Sequence, residues 1–438
     1  MADSTNTQKP VNNFWLSVAA LSGVPFIMVL GNSMLIPVLP EIRGALNLTP
    51  VKVSLLITLF SVPAGIIIPI AGFLSDRYSR KVVIIPALII YGAGGVIAAF
   101  AAVLLKQQAF TLILAGRVLQ GIGAAGTAPI AMALCGDLFQ GKDRSRSLGA
   151  IESSNGLGKV VSPILGSAIG LIAWYAAFFF FPVIVIPVVV GLWFLVKEPK
   201  ANRAQQKLSE YLKSFAKIFK NKTGLLLSSY LAGAVALMVL FGVLFYLSEY
   251  LEQQFGLDGI PKGLVLAIPV LFMSITSFAT GFIIKKKKTL MKILIITGLT
   301  LITASLVFLP LAKAVVVYFI AISVVGIGTG MVLPCLNTLI TSAASMEERG
   351  LVTSLYGSVR FFGVAFGPPL YGFLMAKGIG LMFWSSAGLS LLSAVLVLVF
   401  VKTKGENAGE EKQATHNKEK QPAPAFVFNP SPAKKPEK

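Results

Sequence analysis

The sequence contains little charge, a single histidine and two cysteines. Charged residues make up 13% of the 438 positions, about half the share found in an ordinary soluble domain. His416 lies in a polar C-terminal stretch, so no histidine is available to the apolar part of the chain. Cys135 and Cys335 fall inside apolar runs, which argues against a disulfide framework and predicts two buried thiols.

Catalytic signatures are also missing. The chain has no Walker P-loop, no HExxH and no G-x-S-x-G sequence, so ATP hydrolysis and the common hydrolase chemistries have no support. A G-x-G-x-x-G pattern runs from Gly121 to Gly126. It lies within an apolar run rather than between a strand and a helix, so close helix packing explains it better than a dinucleotide. We therefore expect neither an enzyme nor a bound cofactor or metal.

Apolar residues, by contrast, are abundant. They account for 55% of the chain, and the mean hydropathy is +0.80. Twelve apolar runs are long enough to cross the hydrocarbon layer of about 30 Å as helices. The predicted fold class is therefore an all-α membrane protein with twelve transmembrane helices. The predicted spans cover residues 14–38, 51–74, 82–105, 109–138, 147–171, 174–196, 223–248, 262–284, 289–311, 314–342, 351–376 and 380–401.

The basic residues are unevenly distributed around these spans. Of the 38 lysines and arginines, 29 fall in the N-terminal arm, in the tail, and in or directly beside the loops on the same side, which predicts that both termini are cytoplasmic. The net charge of +20 thus reflects membrane topology, and no soluble basic face is present to bind nucleic acid. We expect a monomeric, multi-pass protein of a bacterial cell membrane, in contact with lipids and without a cleaved signal peptide.

The chain divides into five segments, and its two apolar halves repeat. The predicted segments are an N-terminal arm (1–13), a six-helix bundle (14–196), a basic linker with an amphipathic helix (197–222), a second six-helix bundle (223–401) and a disordered tail (402–438). The linker is alternatively an ordinary solvated connection. An offset of 205 residues aligns Gly121 with Gly326, Pro129 with Pro334, Gly158 with Gly363 and Pro163 with Pro368. Because glycine and proline constrain helix packing, this register predicts two pseudo-symmetric copies of one unit, which can rock about a central site.

The fifth span is unusual because it carries charge. Glu152, Asn155 and Lys159 are spaced i, i+3 and i+7, which places them on one side of a helix. Charges within a membrane are costly and generally face water or one another. This face therefore predicts either a water-filled interior or a structural salt bridge of Glu152 with Lys159 or Arg117.

Two arginines add to the positive charge predicted for the interior. Arg117 lies about two turns inside the fourth span, and Arg360 aligns with Asn155 under the same offset. With Lys159 they outnumber Glu152, the only carboxylate that the predicted spans place well inside, by three to one. This balance favours an anionic or zwitterionic substrate in a cavity lined by Asn155, Lys159 and Arg360, unless one or two of the cations pair with backbone carbonyls.

Three motifs resemble those of one transporter family. The stretch GFLSDRYSRK after the second span resembles motif A of the major facilitator superfamily, with Ser79 at the position of the second glycine. Arg117 and the glycines that follow it resemble motif B, and GKVVSPILGS in the fifth span resembles motif C of the exporters. Residues 14–401 resemble the twelve-helix drug:proton antiporter branch, whose fold is two six-helix bundles. The resemblance implies a conformational latch at Gly72, Asp76, Arg77 and Arg80, a hinge at Gly158, Ser162, Pro163 and Gly166, and a role for Arg117 in proton coupling.

The resemblance also implies a function. It indicates a proton-coupled secondary transporter that exports small molecules of the multidrug type by alternating access. Glu152 becomes the candidate proton carrier, because Asn32 and Ser33 stand where several members have an acid in the first span. A dedicated exporter of an endogenous anionic metabolite such as a siderophore is the alternative that the positive interior favours. A non-transporting receptor or scaffold with the same fold is a further alternative.

Overall fold

The computed structural model describes residues 14–198, 208–284, 287–312, 314–343 and 349–401, with the backbone alone for residues 208–222 and 349. The predicted N-terminal arm, most of the linker before residue 208 and the predicted disordered tail lie outside the described residues. The described residues form helices joined by short connections. The α-helices are α1 (Phe14–Ser33), α2 (Leu39–Ala45), α3 (Pro50–Arg77), α4 (Arg80–Leu105), α5 (Phe110–Ala125), α6 (Ala128–Leu138), α7 (Gly141–Gly170), α8 (Ala176–Leu195), α9 (Leu208–Phe255), α10 (Gly259–Ile283), α11 (Lys288–Phe308), α12 (Val315–Ala343), α13 (Arg349–Met375) and α14 (Ile379–Phe400).

These helices make twelve membrane crossings, as predicted. Within the described ranges, nine segments are long and apolar enough to cross a membrane. The segment Arg80–Leu138 has 59 residues and crosses twice, because α5 runs back along α4, with Gly116 against Gly94 and Gly123 against Ala87. The remaining crossings are α7 and α13, the helices whose apolar character is diluted by glycine, serine and charge.

Two of the predicted spans end later than the sequence pattern indicated. The first was predicted to end at residue 38, but a 3-10 turn leads into α2, which adds Glu41 and Arg43 to this segment. The seventh was predicted to cover 223–248, but α9 is one helix of 48 residues from Leu208 to Phe255. The predicted boundary between the linker and the second bundle therefore lies inside α9, and Glu249 belongs to a membrane helix.

The two halves repeat in their contacts as well as in their sequence. A Cβ atom added to Gly121 would lie 2.1 Å from a backbone carbonyl oxygen of α3, and one added to Gly326 would lie 2.1 Å from a backbone carbonyl oxygen of α10. Gly123 and Gly328 press in the same way on α4 and α11. Because equivalent glycines contact equivalent helices, the predicted pseudo-symmetry of the two six-helix bundles is confirmed.

The helices α3 and α13 join the halves along their whole length. Gly372 contacts the backbone of Pro50 near one end of this pair, and Gly350 approaches the carboxylate of Asp76 near the other. We call the end that contains Asp76 the latch end and the opposite end the distal end.

The pseudo-symmetric equivalents, α7 and α10, also join the halves, and the close contacts of Gly259 and Gly263 lie toward the distal end. A Cβ atom added to Gly263 would lie 2.7 Å from the carbonyl oxygen of Pro163, and Gly259 packs on the side chain of Leu171. The two bundles therefore touch at the distal end through the last turns of α7 and the first turns of α10.

The two cysteines are buried in this core. Cys135 and Cys335 are free thiols with no exposed surface, which confirms the prediction of core thiols.

Candidate substrate and proton sites

The polar face of α7 begins with Glu152, which is exposed, and continues to Asn155 and Lys159, which are half-buried. Lys159 lies within electrostatic range of both Glu152 and Arg360. Within the described residues, neither Lys159 nor Glu152 forms an ion pair or hydrogen bond through its side chain. The salt bridge considered as an alternative is thus not formed, and the lysine has no fixed counter-ion.

Arg360 approaches from the other half of the molecule, on α13. Its guanidinium carbon lies 5.5 Å from the ring centroid of Tyr356, and its Nε atom is buried without a hydrogen-bond partner among the described residues. Tyr356 is itself buried and stacks on Tyr230 with ring centroids 6.0 Å apart. A buried guanidinium N–H without an acceptor is costly, so an incoming acceptor at this point would be stabilised.

The structure thus brings the predicted cavity residues Lys159 and Arg360 together from different halves. The two like charges repel each other across the boundary between the bundles. An anion placed between them would relieve this repulsion and supply the missing acceptor. The arrangement can therefore attract an anion.

Arg117 lies apart from this pair and is completely buried. Its guanidinium donates to the carbonyl oxygens of Leu56 and Gly31 at 2.9 and 2.7 Å, and to the side-chain oxygens of Asn32 and Gln120 at 3.0 and 2.7 Å. These contacts tie α5 to α1 and α3.

All of these acceptors are neutral, and the ring of Phe60 covers the guanidinium at 4.4 Å. Arg117 therefore pairs with backbone carbonyls and neutral side chains. This is the alternative given in the sequence analysis, in which one or two of the cations pair with backbone carbonyls. No carboxylate contacts it within the described residues. Asn32 is one of the two residues that stand where several members of the resembled family have an acid, so the charge of Arg117 is balanced by dipoles alone. Its role in proton coupling stays a prediction.

The predicted latch residues lie at the latch end, where some face α13 and others form contacts within the first half. Gly72 and Asp76 face α13, near Ser354 and Gly350 at the start of that helix. Arg80 forms an ion pair with Asp76 at 3.0 Å and a second one with Asp137 of α6. Arg77 is exposed and lies over the ring of Tyr78, 5.7 Å from its centroid.

Ser79 stands where motif A has its second glycine, and the turn at this position does not require a glycine. Its φ of −169° and ψ of 137° are ordinary extended values, so this turn needs no left-handed conformation. The Ser79 side chain caps α4 by accepting from the backbone N–H of Val82 and donates to the carboxylate of Glu198. Glu198 also accepts from the N–H groups of Arg80 and Lys81 at 3.0 Å each, so the end of the first bundle is bound to the latch loop.

The predicted hinge residues lie between α1 and α10. Gly158 packs on the ring of Phe26 and Gly166 on the backbone of Met34. Ser162 is buried and donates to the carbonyl oxygen of Gly158 at 2.5 Å, while Pro163 contacts α10 across the boundary between the halves. Small residues are needed here because two neighbouring backbones approach α7 closely.

Gly166→Ala is expected to disrupt this packing. The new Cβ atom would lie 1.9 Å from the carbonyl oxygen of Met34, and overpacking of this kind costs about 1–3 kcal/mol. We expect a lower melting temperature in detergent and a severe loss of transport. Gly156→Ala in the same helix is the matched control, because nothing lies within 4 Å of its added Cβ atom, and it should be neutral or slightly stabilising. Equal melting temperatures for the two variants would contradict the packing described.

The sequence analysis missed a second group of charges, at the distal end. Glu152 was expected to be the only carboxylate well inside the spans, but Glu249 of α9 is 1% exposed. Lys262, the first residue of the predicted eighth span, is fully buried in α10. The prediction about Glu152 was wrong because the predicted seventh span ended at residue 248. The available sequence signal for this cluster was the stretch Glu249-Tyr250-Leu251-Glu252, in which two acids flank two apolar residues.

Comparison with known proteins agrees with this architecture. The sequence model of the Major Facilitator Superfamily matches residues 21–368 and 345–434. The bacillibactin exporter of Bacillus subtilis (strain 168) is 46% identical over 398 residues, which cover 90% of this chain and 98% of the relative. The quinolone resistance protein NorA of Staphylococcus aureus (strain MRSA252) is 24% identical over 379 residues, 85% of this chain and 94% of that protein.

A solved structure gives the same fold. The crystal structure of the human organic anion transporter MFSD10 (TETRAN) superimposes with a TM-score of 0.68 at 19% identity, covering 89% of this chain and 100% of that one. Together with the twelve crossings and the repeated bundles, these matches place the protein among transporters rather than enzymes, receptors or scaffolds. The chain belongs to the Major Facilitator Superfamily, in which it is a secondary efflux transporter of small molecules.

Proposed function

We propose that this transporter exports an anionic small molecule, which binds between Lys159 and Arg360. The observation that carries the proposal is the approach of two cations from opposite halves, neither of which forms an ion pair with an acid among the described residues. The electrostatic field of two positive charges in surroundings of low dielectric constant strongly favours an anion. Asn155, half-buried on the same face of α7, supplies a neutral donor and acceptor beside them.

The relatives support this choice of substrate. The bacillibactin exporter is 46% identical over nearly its whole length, so an endogenous anionic metabolite of the siderophore type is the preferred substrate class. Broad multidrug export is the second candidate, because NorA and a multidrug resistance protein of Bacillus subtilis are 24% identical to this chain. A positive cavity argues against cationic drugs as the main substrates.

The proposed topology rests on the charge bias of the loops. We propose that both termini and the latch end face the cytoplasm of a bacterial cell, and that the distal end faces outward. The protein works as a monomer in contact with membrane lipids, and each bundle moves as a unit. Asp76 and Arg80 stabilise one arrangement of the halves at the latch end, and the small residues from Gly158 to Gly166 let α7 slide against α1 and α10.

Protons are the proposed driving ions, with Glu152 as the acid of the cavity. Its carboxylate acts on Lys159 through space and offsets part of the positive charge when no substrate is present. A proton that moves down the membrane potential releases about 2.3 kcal/mol per 100 mV. Glu152 is therefore the acid whose protonation changes the charge available at Lys159.

The test is uptake by purified protein in liposomes with an acidic lumen. We expect the wild-type protein to accumulate bacillibactin and to exclude the cation ethidium. Glu152→Gln should reduce the uptake that depends on the pH gradient about tenfold, a typical coupling strength, and should leave exchange of the same compound across the membrane intact. Accumulation of ethidium without bacillibactin would favour multidrug export, and full pH-driven uptake by Glu152→Gln would move the coupling role to another acid.

A further inference from the structure

Six charged residues meet at the distal end, about 16 Å along α7 from Lys159 if the helix rise is 1.5 Å per residue. Two come from the first half and four from the second, on α2, α9, the following loop and α10. They are Glu41, Arg43, Glu249, Glu252, Asp258 and Lys262.

One contact between the halves in this cluster is a conventional ion pair. Arg43 Nη1 lies 2.7 Å from Glu249 Oε2, and Glu249 is 1% exposed. The hydroxyl of Ser248, the residue before Glu249, donates to the carbonyl oxygen of Ile36 at 3.0 Å, which also joins the halves. The distal end is therefore held shut by polar bonds as well as by packing.

The other contact between the halves joins two acids. Glu41 and Asp258 lie within side-chain hydrogen-bonding reach of each other. The backbone explains their approach, because the Glu41 carboxylate lies over Gly170, 3.4 Å from the position of an added Cβ atom, while Gly259, next to Asp258, packs on Leu171. Two carboxyl groups form a hydrogen bond only if one of them carries a proton.

The surrounding charges favour a proton within this cluster. If all groups were ionised, four carboxylates would face two cations, a net charge of −2. Lys262 is fully buried and paired with Glu252 at 2.6 Å, so its charge is shared between Glu252 and Glu41 and cannot compensate both carboxylates. Glu249 Oε1 is buried with no hydrogen-bond partner among the described residues, which leaves a second acceptor for a proton inside the cluster. All the charged groups lie on α2, α9, the following loop and α10. The part of α7 that packs against them is the uncharged Gly170.

We propose that Glu41 and Asp258 hold one proton between the two halves and that its loss opens the distal end. The proposal rests on the proton-driven export described above. With the proton present, the carboxyl pair is a bond between the halves. Without it, two carboxylates in contact repel each other across the same boundary, while the proton itself passes to water and no other covalent bond changes.

A separate proton site suits exchange of a proton for an anion. An anion bound beside Lys159 favours the protonated form of Glu152, so these two sites alone tend to move proton and anion together. A proton held at the distal end does not share the anion site. Its release toward the cytoplasm would open the molecule outward, and its rebinding from outside would close it, which moves protons inward as substrate leaves.

The distance across the distal end reports this step without any substrate. Spin labels at Ala45→Cys in α2 and Gln254→Cys in α9 occupy exposed positions on the two halves, and the native cysteines, both buried, are replaced by alanine. In liposomes the label distance of the otherwise wild-type protein should lengthen between about pH 5 and about pH 8, as the shared proton leaves. A distance that stays constant with pH would overturn the proposal.

The variants decide which group is responsible. Glu41→Gln places an amide donor that cannot ionise against Asp258, so its label distance should stay short at every pH. Asp258→Asn keeps a good helix cap for α10 and should behave in the same way, which covers the case in which Glu41→Gln fails to fold. Asp143→Asn, an acid 58% exposed on α7, is the matched control and should keep the response of the parent protein. A response in both cluster variants equal to that of the parent would overturn the assignment.

This experiment tests the proposed proton site independently of the proposed substrate. If the distance responds to pH and depends on Glu41, but bacillibactin is not accumulated, the proton site stands and the proposed substrate fails. If bacillibactin is accumulated and the distance does not change with pH, the proposed substrate stands and the proposed proton site fails.

Discussion

Lys159→Gln and Arg360→Gln should each reduce transport of an anionic substrate at least tenfold. Each change removes one charged donor, and hydrogen bonds to charged groups contribute about 1.5–3 kcal/mol, equivalent to roughly 10- to 150-fold in affinity. The effect should appear mainly in the substrate concentration at half-maximal rate, because the two side chains bind the substrate and do not form the latch. Initial rates of bacillibactin uptake into liposomes measure it.

Charge reversal gives a sharper version of the same expectation. Lys159→Glu should abolish uptake of the anion and admit ethidium, since the cavity would then hold two acids against Arg360. Lys52→Gln, an exposed lysine at the distal end, is the control for general loss of positive charge and should leave uptake unchanged. Equal loss in the control and in the cavity variants would show that overall charge, rather than a local site, attracts the substrate.

Arg117→Lys should strongly destabilise the first bundle although it keeps the charge. A lysine cannot reproduce the planar fork that reaches four acceptors on three helices, nor the stacking on Phe60. Buried acceptors that lose a charged donor cost about 1–3 kcal/mol each, so the melting temperature in detergent should fall well below that of the wild type. Arg146→Lys, at an exposed arginine, should leave it unchanged.

The same variant separates two roles of Arg117. If its bonds to neutral acceptors are its whole purpose, stability and transport fall together. If Arg117→Lys melts like the wild type but loses the uptake that depends on the pH gradient, the buried network described here is not its main role, and the predicted part in proton coupling is supported.

The fold could be predicted from the sequence because the relevant signals are long and redundant. Apolar runs of 20 or more residues indicate membrane helices whatever their neighbours, and paired glycines and prolines such as Gly121 and Gly326 revealed the repeat. Ser79 shows the opposite situation, in which a departure from a motif has no structural consequence because the turn there uses extended backbone angles.

The candidate sites could be predicted only in part. Glu152, Asn155 and Lys159 share one helix, so their spacing was enough to place them on one face. Arg43 and Glu249 are separated by some two hundred residues, and no helical periodicity tells which helices of opposite halves will meet. Span boundaries drawn from hydropathy also stop at the first charge, which is why Glu249 was left outside the seventh span and Lys262 was placed only at the edge of the eighth.

Binding of bacillibactin to the purified wild-type protein, to Lys159→Gln, to Arg360→Gln and to the double variant tests the central claim most directly. If one anion is held by both side chains, the single losses will not add, and the cycle will give an interaction energy above about 0.5 kcal/mol. Losses that add within that margin, or binding unaffected by either change, would contradict an anion site shared by the two halves.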